Sequence, residues 1–301
     1  MKIESIAITN VGHIRENNED NYFLCGQYRE DVSVNTISCT CEKADGEGLF
    51  GVCDGMGGAQ FGELASLIAV KSMAEYSENF DAVFQDCIGD ANAKICDEIA
   101  DRGGRRIGTT FAALCIKDGA ARAYNIGDSR IYMLRGGKLT QLSVDHTQAQ
   151  MMINQGIITP QEAKNHRGRH VLTQHLGIFP EEMVVEPSVA EAVTLEAGDT
   201  FLLCSDGLTD MVEDEEIFGI LSAEGTPSEK AEKLVDTALL NGGRDNVTVV
   251  LVKASAVTKK PDINAIEKRL KEVMIEKYGK VNEALLAELM VKVAERLESI
   301  K

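Results

Sequence analysis

An α+β layered domain of antiparallel sheets with helices packed outside, followed by a helical C-terminal extension, is the fold this sequence predicts. Strand-like runs follow one another closely, through Gly-bearing hairpin connections at Lys117-Asp118-Gly119 and Arg135-Gly136-Gly137-Lys138. Helical stretches come in pairs and do not alternate with strands, which argues against a βαβ plan. After Thr258-Lys259-Lys260-Pro261 only helix-period stripes remain.

Residues 3–9 read as the first strand, and 22–25, 32–38 and 49–53 as the next three. Helices are expected over 59–77, where Leu64, Leu67, Ile68, Val70 and Met73 approximate an apolar stripe, and over 81–101, with Val83, Phe84, Cys87, Ile88 and Ile95. Strands follow at 109–117, 121–127, 130–135 and 138–143, and a more polar, helical stretch covers 147–166. Strands return at 184–194 and 200–204, helices at 213–222 and 228–240, and a last strand at 247–253. Beyond the joint, Ile263, Ile266, Leu270, Val273 and Met274 share one helical face; beyond Gly279, Leu285, Leu286, Leu289, Met290, Val293 and Leu297 share another. Residues 1–257 are therefore expected to form one domain and 258–301 a helical hairpin that packs on itself, dimerises or docks a partner.

The 301 residues allow a substantial core, and 44% hydrophobic with 26% charged content is ordinary for a soluble globular chain. A net charge of −17 argues against nucleic-acid binding, which needs a basic face. Residues 258–301 carry +2, so the acidity belongs to the domain before them. No apolar run has membrane-span length and the N-terminus lacks the order of a secretory signal, so a cytoplasmic protein with no membrane partner is expected. Eight cysteines, mostly inside apolar segments, suit buried thiols in a reducing compartment. Cys39-Thr40-Cys41 is too tight for a zinc knuckle. Cys96 and Arg102 have thiol-phosphatase spacing, but the acidic helix between them would repel phosphate. His166 and His170 stand four apart in a glycine-broken basic stretch, a poor zinc site.

Two Asp-Gly pairs carry the chemistry. Asp54-Gly55 ends the run Leu49 to Cys53, Asp206-Gly207 follows Phe201 to Ser205, and Asp245 precedes the run Val247 to Val252. Acids at the ends of buried strands are costly unless something positive is present, so three of them favour a divalent metal site. Aspartate-rich, histidine-poor ligation suits magnesium or manganese better than zinc.

Further blocks join these acids: RENNED (15–20), DGMGG…GE.AS (54–66), GTT (108–110), GDSR (127–130), DH (145–146), LT..LG (172–177), SDGL (205–208) and GGRDNVT (242–248). In this order they resemble the protein phosphatase 2C family of metal-dependent serine/threonine phosphatases, over roughly residues 3–254. The resemblance implies an antiparallel β-sandwich flanked by helix pairs, a four-layer αββα arrangement. It implies two manganese or magnesium ions, with Asp54 as bridging ligand beside the Gly55 carbonyl. Asp206 and Asp245 fall on the ligands of one metal and Glu19 on a ligand or water-mediated partner of the other. Asp145, shared with Asp206, falls on a weak third site. Arg15 matches the phosphate-binding arginine, and Asp20 an acid that orients water. Asp128 is expected only to buttress the site, His146 to fix its loop, and 147–171 to form a mobile flap.

Two ions about 3.5–4 Å apart can bridge a water and stabilise in-line displacement at phosphorus, without a phosphoenzyme. The implied partners are phosphorylated proteins and an opposing serine/threonine kinase. The alternatives are a non-catalytic phosphoprotein- or metal-binding member and a hydrolase of small phosphate esters. Two positions depart from the family: Met56 replaces the histidine of eukaryotic relatives, and Gln174 stands where arginine is common.

Overall fold

The computed structural model describes residues 1–57, 61–256, 263–278, 281–282, 285–287 and 289–292. Along the chain run β1 (Lys2–Asn10), β2 (Asn21–Leu24), β3 (Gln27–Tyr28), β4 (Thr36–Lys43), β5 (Gly48–Cys53) and β6 (Gly55–Met56). Helices α1 (Gly62–Glu75) and α2 (Phe80–Asp101) follow, then β7 (Gly108–Thr109), β8 (Phe111–Lys117), β9 (Ala120–Ile126), β10 (Arg130–Arg135) and β11 (Lys138–Gln141). Short helices α3 (Gln148–Asn154) and α4 (Pro160–Ala163) precede β12 (Ser188–Val189), β13 (Val193–Thr194) and β14 (Thr200–Cys204). The order closes with α5 (Asp206–Thr209), α6 (Asp214–Ser222), α7 (Pro227–Leu240), β15 (Val247–Ser255) and α8 (Ile263–Tyr278).

Two antiparallel sheets make the sandwich. One has the order β11-β10-β14-β15-β1-β4, the other β12-β9-β8-β5-β2-β3, with β13 also on β9. Strict two-residue alternation divides their side chains between three cores. In β15, Val250 and Val252 point between the sheets while Val249 and Leu251 face α6 and α7. In β8, Ala112 and Leu114 enter the inter-sheet core while Phe111 and Ala113 meet α1 and α2. Both faces of each central strand are covered, so these strands read in sequence as continuous apolar runs. Each fully buried Leu or Phe contributes about 1.5–3 kcal/mol. The result is the expected four-layer αββα sandwich.

The differences lie at the edges. The strand expected at 32–38 runs instead over Thr36–Lys43, an edge strand whose residues alternate between half-buried and exposed. The strand expected at 184–194 is reduced to two short pairings on β9. Helix α7 starts sharply because Thr226 and Glu229 form a reciprocal capping box with Pro227 in the first turn.

The chain divides into two compact units, Met1–Ala256 and Val257–Lys301. The second contains α8, with Lys271 bound to Glu267 at 2.6 Å, and helical residues at 285–287 and 289–292. The expected joint at 258–261, Gly58 of the first motif, Gly279, and Val293 and Leu297 of the second stripe lie outside the described residues.

Candidate active site

The acids converge because strands of both sheets end at the same edge of the sandwich. Asp20 immediately precedes β2, Asp54 follows β5, Asp128 lies between β9 and β10, Asp206 follows β14, and Asp245 stands two residues before β15. A cleft of about 620 Å³ opens there, lined by Glu19, Asp54, Asp128, Asp206, Asp210 and Asp245, together with Arg15, His170 and His175.

Asp54 is fixed through its backbone. Its N–H donates to Thr110 Oγ1 at 2.8 Å, and its carbonyl accepts from Thr110 N and Thr109 Oγ1, both at 2.9 Å. The Gly108-Thr109-Thr110 motif thus serves as a clamp on the Asp54 turn. Thr110 Oγ1 in turn meets Ser129 Oγ at 2.7 Å, which links the clamp to the turn carrying Asp128. Gly55 N donates to the Glu19 carbonyl at 3.2 Å. Asn246 aligns the Arg15–Asp20 loop: its Oδ1 accepts from Glu19 N at 2.8 Å, and its Nδ2 donates to the carbonyls of Val11 and Asn17. Gly12 has φ +78, and a Cβ there would collide with the Asp245 carbonyl, so only glycine permits that approach.

Arg29 is a positioning residue that sequence reasoning missed. It is 1% exposed, and its guanidinium donates to the carbonyls of Asn18 (2.6 Å), Asp20 (2.7 Å), Val34 (3.0 Å) and Val32 (3.2 Å). No charge pattern marks it; only the fold shows that it ties down the loop bearing the acids.

The electrostatics match a site built for cations. Asp20 is fully buried; Ser205 Oγ donates to its Oδ2 at 2.7 Å, while its Oδ1 has no hydrogen-bond partner. Burial pushes its carboxyl up to about 7, against the hydroxyls of Thr248 and Ser205 that lower it. Although Asp54 borders the cleft, burial followed by repulsion from Asp20 and Asp206 holds it well above the usual carboxylate range. Asp128 is raised in the same way by burial and then Asp206, and Glu19 by burial and then Glu63. A buried acid with an orphan oxygen, among oxygen donors that raise one another, fits hard divalent cations. Arg15 donates to Asp245 Oδ2 at 2.6 Å, and His170 lies 3.7 Å from Asp206 and 3.4 Å from Asp210.

One expected metal ligand is engaged elsewhere. Asp145, read as sharing a third metal position with Asp206, does not line the cleft. Arg130 grips it through Nε at 3.0–3.1 Å and a terminal nitrogen at 2.7 Å, and Gln141 donates to it at 2.8 Å. Its oxygens are spent on structure. Asp128, read as a buttress, joins Asp206 and His170 with ligand atoms within 4.8 Å of one another. His166, four residues before His170, turns its Nδ1 to Gly168 N instead. His146 accepts from Gly127 N at 3.3 Å and meets Ser188 Oγ at 2.8 Å; burial lowers its pKa. That geometry pins the turn next to Asp128. Among 147–171, α3 and α4 form a short helical pair, and its far end carries His170 to the cleft.

The comparisons with known proteins agree with this geometry. The protein phosphatase 2C family profile matches residues 26–240. Protein phosphatase PhpP of Streptococcus pneumoniae is 35% identical over 260 residues, 83% of this chain and 97% of that protein. Serine/threonine phosphatase Stp of Listeria monocytogenes is 33% identical over 266 residues, 84% of this chain and 97% of that one. The solved Mycobacterium tuberculosis serine/threonine phosphatase PstP superposes with a TM-score of 0.71 at 31% identity, covering 85% of this chain and 100% of that chain. A second PstP structure, the catalytic domain in complex with two manganese ions, superposes with a TM-score of 0.68 at 30% identity over the same shares. Sequence and fold match these proteins along most of the chain, which makes it a member of the protein phosphatase 2C family.

Proposed function

We propose that this chain is a metal-dependent phosphoserine and phosphothreonine protein phosphatase, in which water attacks phosphorus in line and no phosphoenzyme forms. The observation that carries the reading is the convergence of Glu19, Asp54, Asp128, Asp206 and Asp245, from both sheets, on one cleft with Arg15 at its side. Asp54 would bridge two ions. Asp206 and Asp245 would hold one, Glu19 and the Gly55 carbonyl the other, and Asp128 with Asp206 offers a further position. Two divalent ions, manganese as in the PstP complex or magnesium, would supply Lewis acidity and lower the pKa of water.

The chain's own residues do the rest. Arg15, half-exposed at the cleft, presents a planar fork to non-bridging phosphate oxygens. Asp20, anchored by Ser205 beneath the acids of the cleft wall, would orient the attacking water only through its neighbours, as it is buried and does not line the cleft. Met56 carries no proton to give, so the leaving oxygen draws its proton from another group at the site. Phosphorylated proteins are the substrates, and a serine/threonine kinase supplies them. Eight cysteines, all free thiols, support a reducing, cytoplasmic setting. Among the described residues no helix is long and apolar enough to cross a membrane.

The test is a panel of phosphopeptides and nucleotides assayed with manganese, with and without chelator. Manganese-dependent release of phosphate from the peptides is expected. Nucleotide turnover above peptide turnover, or full activity in excess chelator, would overturn the reading.

A further inference from the structure

We infer that a second pocket, continuous with the acid-lined cleft, receives an apolar side chain flanking the phosphorylated residue and sets substrate preference. This rests on the reading of the cleft as the phosphate site. The pocket encloses about 530 Å³, within the size range of ligand sites. Met56, Gly57 and His175 line both it and the cleft, so a peptide with its phosphate in the cleft meets the pocket directly.

The walls are built, not left open by chance. Asn92, buried on α2, accepts from Gly177 N at 2.8 Å and Ile178 N at 3.2 Å, and donates to the Ile178 carbonyl at 2.9 Å. Leu176 and Thr109 exchange backbone bonds at 2.9 and 3.2 Å, which joins this wall to the turn bearing Met56. Across the pocket, Arg106 grips both oxygens of Glu182 and stacks over Phe179 at 5.4 Å. Gln174 binds the following segment, accepting from Glu186 N at 3.1 Å.

The chemistry of the occupant follows from the lining. Ile107, Ile178, Met56 and Met183 present apolar surface, with Met183 40% exposed at the rim. Among the described residues the charges lining the pocket, Arg106 and Glu182, neutralise one another. Such a surface gains from a Leu, Ile, Met or Phe side chain, and methionines adapt to several shapes. An aspartate or glutamate there would lose its water, and Arg106, the cation among the described lining residues, is already taken by Glu182.

The test compares kcat/KM, with manganese, over phosphoserine peptides in which each position flanking the phosphoserine is Leu or Asp. A Leu preference of about tenfold at one of these positions is expected, the scale of discrimination by an apolar pocket. Met183→Glu and, separately, Ile178→Ala should cut that ratio to below about threefold; as a ratio on one preparation, it is insensitive to the fraction folded. Equal rates across the set, or a preference untouched by both variants, would overturn the pocket assignment while leaving the phosphatase reading intact. Failure of every peptide and of an aryl phosphate would instead remove the phosphatase reading, and the pocket assignment with it.

Discussion

Arg15 and Asp245 are bound to each other at 2.6 Å across 230 residues of chain. The residue proposed to hold phosphate therefore neutralises an acid proposed to hold metal, and each must exchange its partner when the site is loaded. Arg15→Ala should lower kcat/KM on phosphopeptides by about 10- to 100-fold, the worth of a charge-assisted hydrogen bond. The manganese concentration for half-maximal activity should not rise, because the variant removes a competitor for Asp245. An unchanged kcat/KM would take Arg15 out of the phosphate site.

Asp206→Asn and Asp245→Asn should each lower turnover by orders of magnitude and leave the fold intact. Neither acid holds the sandwich together, and Asp206 raises its neighbours Asp54, Asp128 and Asp210. In chelator, Asp206→Asn should therefore melt at or above the wild-type temperature. A lower melting temperature would mean that the carboxylate supports the fold directly.

The same repulsion fixes the sign of a pH effect. Asp20 is raised to about 7 and Asp54 and Asp128 are raised well above the ordinary carboxylate range, so the folded metal-free protein holds protons that the unfolded chain releases. Asp20's stabilisation is full below about pH 4, the ordinary carboxylate range, and is lost as pH climbs through about 7; Asp54 and Asp128 act in the same direction. In chelator the melting temperature should fall by roughly 5 °C or more between pH 5.5 and 7.5. Manganese should restore it mainly at the higher pH. A metal-free melting temperature that rises over that interval would contradict the burial of these acids.

Arg29→Met should destabilise the domain by about 3 kcal/mol or more, since the buried carbonyls of Asn18 and Asp20 and the part-buried carbonyls of Val32 and Val34 lose their donor. It should also raise the manganese requirement, because that loop carries Glu19 and Asp20. Denaturant melts and a manganese titration read the two effects separately. A variant with wild-type stability and metal requirement would deny the loop its anchor.

The central strands were legible because both faces are buried: Val247–Val252 and Phe201–Cys204 can be nothing but inner strands. The edge strand Thr36–Lys43 was misplaced because only Ile37, Cys39 and Cys41 on one face touch the core, so its pattern is diluted by exposed polar residues. Within the site, the acids at strand ends were readable from Asp-Gly turns. The hold of Arg130 on Asp145, and the placement of Asp128 beside Asp206 and His170, were not. Both acids stand a few residues past a strand end, Asp128 after β9 and Asp145 after β11, and only the placement of Arg130 against Asp145 shows which carboxylate is already satisfied. Arg29 was invisible for a similar reason: its partners are carbonyls, which every residue has.

The extension after the catalytic unit gives the last prediction. Every residue assigned to the cleft, from Arg15 to Asp245, belongs to the unit Met1–Ala256, and so does every element of the sandwich. The later residues are near-neutral and carry helical stripes, of which α8 and the helical residues at 285–287 and 289–292 are described. We expect truncation after Ala256 to leave a folded, metal-dependent enzyme with turnover on an aryl phosphate within about twofold of the full chain, since it removes no group from the site. Association is what should change, because an apolar stripe on a helix is stable only when covered. The mass in solution of the two forms distinguishes self-packing, with a monomer in both, from dimerisation, with a dimer in the full chain alone. A truncated protein that melts normally yet loses aryl phosphate turnover would show that the extension helps build the cleft, and the division of the chain near residue 257 would fail.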